Sequence, residues 1–307
     1  MTTEFMAKYQ QLCRTMLEAP VIHTGTWQST DTTASPLHAT HEIQDELFLM
    51  PILASPSQLQ AEMPAVNLPW AENHFLERVG GVPVNPPPSH TQWPWARHNA
   101  RFQEEGQGPF SHSYPERMWA KHAGECHGPY GWSPAGLDGE HGSMVALDQY
   151  GHDGEHQVCR GRQGIRFRYG DLGDLVHLLI REPLTRQAYL PIFFPEDTGN
   201  HANVRVPCTL GYHFMIRDNR LSCRYFMRSC DLVRHFPDDV YMAARLTQWI
   251  IATITAVKWQ SKEQLEPGHL RMHMTSLHAF VGDEYLMKKI IGRDPVHDRI
   301  GGSSVPS

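Results

Sequence analysis

Residues 186–246 read RQAYLPIFFPEDTGNHANVRVPCTLGYHFMIRDNRLSCRYFMRSCDLVRHFPDDVYMAARL, and the pattern of this stretch decides the fold class. Ala188 to Phe194 is an apolar, β-type run ended by the turn-rich segment Pro-Glu-Asp-Thr-Gly-Asn, which predicts a strand. Leu210 to Ile216 and Leu221 to Phe226 bracket Arg217-Asp218-Asn219-Arg220, a spacing that predicts a hairpin. Val240 to Lys258 predicts a long buried helix. Upstream, Gly170 to Ile180 sets Leu175, Val176, Leu178, Leu179 and Ile180 on the buried face of another helix, which Glu182-Pro183 stops. The order helix, strand, loop, hairpin, helix is that of an α/β (α+β) protein whose sheet packs against a helical layer.

Working outward, the 307 residues are 40% hydrophobic and 20% charged, the balance of a core-forming protein. The formal charge of −6, with no Lys/Arg block, argues against non-specific nucleic-acid binding, which needs a basic footprint. The longest apolar stretch, Leu246 to Trp259, is broken by Thr247, Gln248, Thr253, Thr255 and Lys258, so no membrane span is expected. The first 20 residues carry Glu4, Lys8, Arg14 and Glu18 and lack the apolar core of a secretion signal. These features point to the cytoplasm, where the 6 cysteines would remain reduced and one could be a working thiol. No repeat or compositional break divides residues 1–307, so a single catalytic domain is expected, with a Gly- and His-rich loop excursion at about 124–160.

Several residues in the opening segment bear on chemistry. Cys208 follows Pro207 at a loop-to-strand junction near arginines, where a thiol can be held partly as the thiolate that attacks carbon. A buried cysteine acting as a small hydrophobe is the ordinary alternative. Arg228-Ser229 can bind a phosphate, through a bidentate guanidinium and one hydroxyl donor, or face solvent at a strand edge. Pro237-Asp238-Asp239 stands at the mouth of the long helix, where two acids also suit an N-terminal cap. His152-X3-His156-X2-Cys159 has ligand-like spacing for zinc, but exposed loop histidines account for it better and no metal is expected.

Taken together, Pro207-Cys208, Leu221-Ser222-Cys223, Tyr225, Arg228-Ser229-Cys230-Asp231 and Pro237-Asp238-Asp239 resemble the thymidylate synthase family over roughly residues 60 to 290. The resemblance implies that family's fold, a mixed β-sheet packed against helices and dimerising through the sheet. It implies that Cys208 adds to C6 of a pyrimidine nucleotide and that 5,10-methylenetetrahydrofolate supplies one carbon to C5. Arg228 and Ser229 would bind the phosphate, and Arg186, in Glu182-Pro183-Leu184-Thr185-Arg186-Gln187, would reach the phosphate of a partner subunit. His278 and Phe280 fall where the family holds the sugar, Tyr114 would lie near the nucleotide, and Asp231 near the pterin. Trp93 and Trp95 would stack on the folate or serve as buried tryptophans. Glu72, aligned with the family's acid by its spacing from Phe75, would organise a water and the proton relay.

The departures point to one branch. Asp239 stands where the family carries the Asn that reads uracil, and a protonated carboxyl matches the inverted donor and acceptor pattern of cytosine. Trp70-Ala71-Glu72-Asn73-His74-Phe75, Glu77-Arg78-Val79-Gly80-Gly81, Asn85-Pro86-Pro87, Trp93-Pro94-Trp95 and Phe110 to Arg117 look like the phage-type deoxycytidylate hydroxymethylases. The expected reaction is therefore 5-hydroxymethylation of dCMP, with 5-methylation or ribo-CMP as alternatives and a nucleotide- or RNA-binding regulator as the non-enzyme alternative. His23 replaces the family's phosphate-clamping Arg before Thr24-Gly25-Thr26, and Phe280 replaces a Tyr whose hydroxyl would meet the sugar.

Overall fold

The computed structural model describes residues 2–23, 26–27, 30–31, 35–95, 112–120, 171–198, 206–257 and 265–292. The loop excursion at 124–160, with its zinc-like spacing, lies outside the described residues. In chain order the elements are α1 (Glu4–Glu18), β1 (Val21–Ile22), β2 (Thr26–Trp27), β3 (Thr30–Asp31), β4 (Thr40–Pro51), α2 (Pro56–Glu62), α3 (Trp70–Val79) and α4 (Tyr114–Met118). Then follow α5 (Leu172–Arg181), β5 (Tyr189–Pro191), α6 (Pro195–Thr198), β6 (Thr209–Arg217), β7 (Arg220–Met227), β8 (Cys230–Asp231), α7 (Phe236–Val257), β9 (Glu266–Phe280) and α8 (Glu284–Gly292).

The predicted hairpin forms β6 and β7, paired in antiparallel register from Thr209↔Met227 to Arg217↔Arg220. Asp218 and Asn219 take φ of 49° and 56°, the left-handed conformation that matches a two-residue turn to the twist of its strands. Inward Leu221, Cys223, Tyr225 and Met227 alternate with outward residues along β7, so one sheet face is core. The full sheet has the order β1-β4-β9-β7-β6-β5, with β8 also paired to β9. The β4–β9 pair is antiparallel while β7 and β8 run parallel to β9, which makes the sheet mixed.

The long helix α7 packs on that sheet and buries Val240, Ala243, Ala244, Leu246, Thr247, Ile250 and Ile254. Phe5 and Tyr9 of α1, Phe48 of β4 and Phe236 of α7 join in one aromatic cluster, with Phe48 and Phe236 edge-on at 5.1 Å. Asp171 caps α5 by accepting from Asp174 N, and Leu172, Leu175, Val176 and Leu179 form its buried stripe.

Two sequence expectations are corrected. The strand expected over 188–194 stops at Pro191, because the N–H groups of Ile192 and Phe193 converge on the single carbonyl of Leu210 and Phe194 N–H turns to Asp197 Oδ2. The long helix begins at Phe236, so Asp238 and Asp239 lie within its first turn. At 22 residues it is long and apolar enough, by length and composition, to cross a membrane, a test that a buried core helix also passes. Its buried residues face the sheet and neighbouring helices, as in a core helix.

Candidate active site

The hairpin, the start of α7 and the short helix α4 converge on Cys208. Proline at 207 ends the preceding loop, and Cys208 sits one residue before β6, tied to the far strand by Arg228 N–H donating to Cys208 O at 2.9 Å. The Arg228 guanidinium braces the same loop, with Nε donating to Pro207 O at 2.9 Å and Nη2 to Val206 O at 3.0 Å. Its Nη2 lies 3.9 Å from Cys208 Sγ, so a positive charge faces the sulfur. The other described cysteines are fully buried: burial pushes the Cys13 and Cys223 thiols up to about 12, and that of Cys230 well above its ordinary value. Cys208 alone among these four is half-buried.

Thr209, next in the chain, accepts or donates at 3.1 Å to the Tyr114 hydroxyl and at 2.7 Å to that of Tyr225, which stacks on Tyr212 at 4.5 Å. A hydroxyl chain thus links α4 to the inner face of β6 and β7. Burial raises the Tyr114 phenol, helped by the nearby charges of Cys208 and Asp239, so it is a neutral donor throughout the physiological range.

The two acids opening α7 have different fates. Asp238 is fixed by Asn67, whose backbone N–H and Nδ2 donate to its two oxygens at 2.9 and 2.8 Å. Asp239 has no such tether: its carboxyl contacts Cys230 Sγ at 3.9 Å and, among the described residues, pairs with no basic side chain. Burial raises it to about 7, against the opposing pull of the Arg78 guanidinium. At neutral pH it is therefore a carboxyl poised between donor and acceptor forms.

On the other side of Cys208, β8 lies beside the end of β9, in register Cys230↔Leu277 and Asp231↔His278. This pairing brings Ser229 Oγ to 3.2 Å from His278 Nδ1 and leaves His278 Nε2 buried without a hydrogen bond. Burial lowers the His278 pKa despite Asp231 and Glu42, so the ring is neutral at pH 7. Asp231 Oδ1 accepts the N–H groups of Val233 and Arg234, while its buried Oδ2 lies 3.8 Å from Arg234 Nε and accepts no hydrogen bond among the described residues. Beyond it lies an aromatic wall: Trp93 stacks on His235 at 4.9 Å, and the Arg234 guanidinium covers Trp95 at 5.5 Å and Phe280 at 4.5 Å.

Three candidates fall outside this cluster. Glu72 turns to α7, where Arg245 Nε and Nη2 donate to its oxygens at 2.9 and 2.7 Å and the Tyr241 hydroxyl donates at 2.7 Å. Burial raises its carboxyl, but Arg245 and Tyr241 outweigh that and hold it below the ordinary range. Arg186 has an exposed side chain, and its carbonyl accepts from His213 Nε2 at 3.0 Å. His23 is exposed at the end of β1.

Two groups were missed in the sequence, although His74, Glu77 and Arg78 lie in quoted motifs. His74, Glu77 and Ser89 form one cluster: Ser89 N–H and Oγ each donate to Glu77 at 2.6 Å, and His74 Nδ1 lies 3.2 Å from the same carboxylate. Burial drops His74 to about 4, so it is a neutral ring, stacked on Trp70 at 5.3 Å. Arg78 is 4% exposed and holds its guanidinium 4.0 Å above the centre of the Tyr114 ring. The signal was the i, i+4 spacing of His74 and Arg78, which puts both on the same side of α3, with Glu72 about 200° away from His74.

The thymidylate synthase family model matches residues 119–298. The chain is 27% identical over 124 residues to the thymidylate synthase of Listeria monocytogenes serotype 4a (strain HCC23), covering 40% of this chain and 36% of that protein. It is 32% identical over 124 residues to that of Listeria innocua serovar 6a, with the same coverage, 40% and 36%. Against that of Rhizorhabdus wittichii it is 25% identical over 152 residues, 49% of this chain and 44% of the relative. The chain thus spans less than half the length of these relatives.

Proposed function

The chain belongs to the thymidylate synthase family, and from that premise we propose that it transfers a one-carbon unit from 5,10-methylenetetrahydrofolate to C5 of a cytidine monophosphate, dCMP first, giving the 5-hydroxymethyl product. The observation that carries the reading is Asp239, a buried carboxyl raised to about 7 and free of the Asn67 tether that holds its neighbour. Protonated, it donates to N3 of cytosine through one oxygen and accepts from the 4-amino group through the other.

In this reading Cys208 Sγ attacks C6, assisted by the Arg228 charge beside it. Tyr114, through Thr209 and Tyr225, holds a donor network at the base. Ser229 and Arg228 take the phosphate, and His278 offers its unpaired Nε2 to the sugar. The folate supplies the methylene carbon. A flat pterin with N–H donors suits the wall of Trp93, Trp95 and Phe280 and Asp231 Oδ2, which faces Arg234 Nε at 3.8 Å without a hydrogen bond. Glu72, ionised and held by Arg245 and Tyr241, serves the proton relay as the acceptor that orients its water. Arg186, exposed beside β5, completes the phosphate site of a partner subunit in a homodimer formed through the sheet.

The test is incubation with methylenetetrahydrofolate and equimolar dCMP, CMP and dUMP, with mass analysis of the nucleotides. Gain of CH2O on dCMP is expected. Gain of CH2 would make the product methyl, conversion of CMP would shift the sugar preference, and turnover of dUMP ahead of dCMP would overturn the base assignment. No conversion of any of the three would favour a nucleotide- or RNA-binding regulator.

A further inference from the structure

Arg78 is a buried cation whose Nε has no hydrogen-bond partner among the described residues. It is 4% exposed, and among the described residues it forms no salt bridge. Leaving a guanidinium out of water without a partner is costly, and such a group persists where a ligand completes it. Its surroundings identify the ligand. The charge lies over the face of Tyr114, whose hydroxyl bonds Thr209 beside Cys208, and it acts on Asp238, Asp239, Tyr212 and Tyr225. These residues line the place where the pyrimidine ring sits in the reading above, on which this inference rests.

We propose that Arg78 is a catalytic residue, whose guanidinium donates to the ring acceptor that gains negative charge when Cys208 adds to the pyrimidine. As the Sγ–C6 bond forms and the thiol proton leaves to solvent, the C5=C6 π pair moves onto C5 and, by conjugation, onto N3 and O2 of cytosine. A donor already desolvated beside Tyr114 gains strength as the charge develops on that edge, and needs no reorganisation at that moment. When the C5 proton is replaced, the pair returns to C5 and Arg78 relaxes to a weaker, ground-state contact.

This role separates from a structural one by the sign of a stability change. The experiment compares wild type, Arg78→Met and Arg78→Lys for tritium release from C5 of labelled dCMP, CMP and dUMP with methylenetetrahydrofolate, for dCMP affinity by calorimetry, and for Tm of the unliganded protein. Arg78→Met is expected to lower tritium release by about 100-fold or more. Its dCMP affinity should change far less, and its Tm should stay equal or rise, because an unpaired buried charge has been removed. Arg78→Lys should recover part of the rate. A lower Tm with tritium release within threefold of wild type, or equal losses of rate and dCMP affinity, would overturn the assignment while leaving the one-carbon reaction standing. No tritium release by wild type from any of the nucleotides would overturn the proposed reaction and this inference with it.

Discussion

Helix α3 presents two polar faces that obey opposite rules. Toward α7, Glu72 is saturated, with Arg245 and Tyr241 filling both oxygens and Gln60 donating to the Tyr241 hydroxyl at 3.1 Å. Toward Tyr114, Arg78 is buried and has no hydrogen-bond partner for its Nε. The same contrast divides neighbouring acids: Asp238 is tied to Asn67, and Asp239 is not. A satisfied network holds elements together and fixes the orientation and charge of each member. An unsatisfied buried group costs stability and marks where a ligand belongs.

The comparison can be broken or sharpened by substitution, and the largest effect expected is on chemistry. Cys208→Ala should lower product formation by about 10⁴-fold or more while leaving Tm within about 2 °C, measured by turnover and thermal melting. Retained product formation would remove Cys208 from the reaction. Next, Arg117→Ala should cost about 3 kcal/mol of stability, because it strips a bidentate partner from buried Asp197. Denaturant titration reads this, and a change below about 1 kcal/mol would mean that water satisfies Asp197.

On the saturated face, Glu72→Gln should cost about 1–2 kcal/mol, since Arg245 keeps one acceptor and loses the opposing charge. Pairing it with Arg245→Gln should recover part of that loss in a double-mutant cycle. The smallest effect concerns pH. Burial raises Asp239 to about 7, Asp238 to about 6 and Glu116 to about 7. A carboxyl raised in the folded state binds its proton more tightly there, so this contribution is present at acid pH. It is lost as pH rises from the ordinary carboxylate range through about 7. Asp239→Asn should therefore raise the Tm of the unliganded protein more at pH about 8 than at pH about 5.

How much was legible in the sequence follows from where the information lies. The hairpin was readable because alternation and an Asp-Asn turn are local, and α5 because its apolar stripe ends at a proline. The 12-residue β4 and 15-residue β9 were missed as strands, since their pairing joins residues far apart in the chain. The family resemblance brought forward Cys208, Tyr114, Asp239, Ser229 and His278, and the fold gathers them. It could not say which side of α3 faces the cluster. Spacing from Phe75 selected Glu72, whereas the helical period turns Arg78 toward Tyr114.

The central claim is that Asp239 reads cytosine as a protonated carboxyl, and the dCMP-to-dUMP affinity ratio across pH tests it most directly. Both nucleotides carry the same phosphate, so the ratio isolates the base. It should favour dCMP at acid pH and fall about tenfold per unit above the Asp239 value of about 7. In Asp239→Asn the ratio should be flat and favour dUMP. A flat ratio in the wild type, or dUMP bound more tightly than dCMP throughout, would contradict the account.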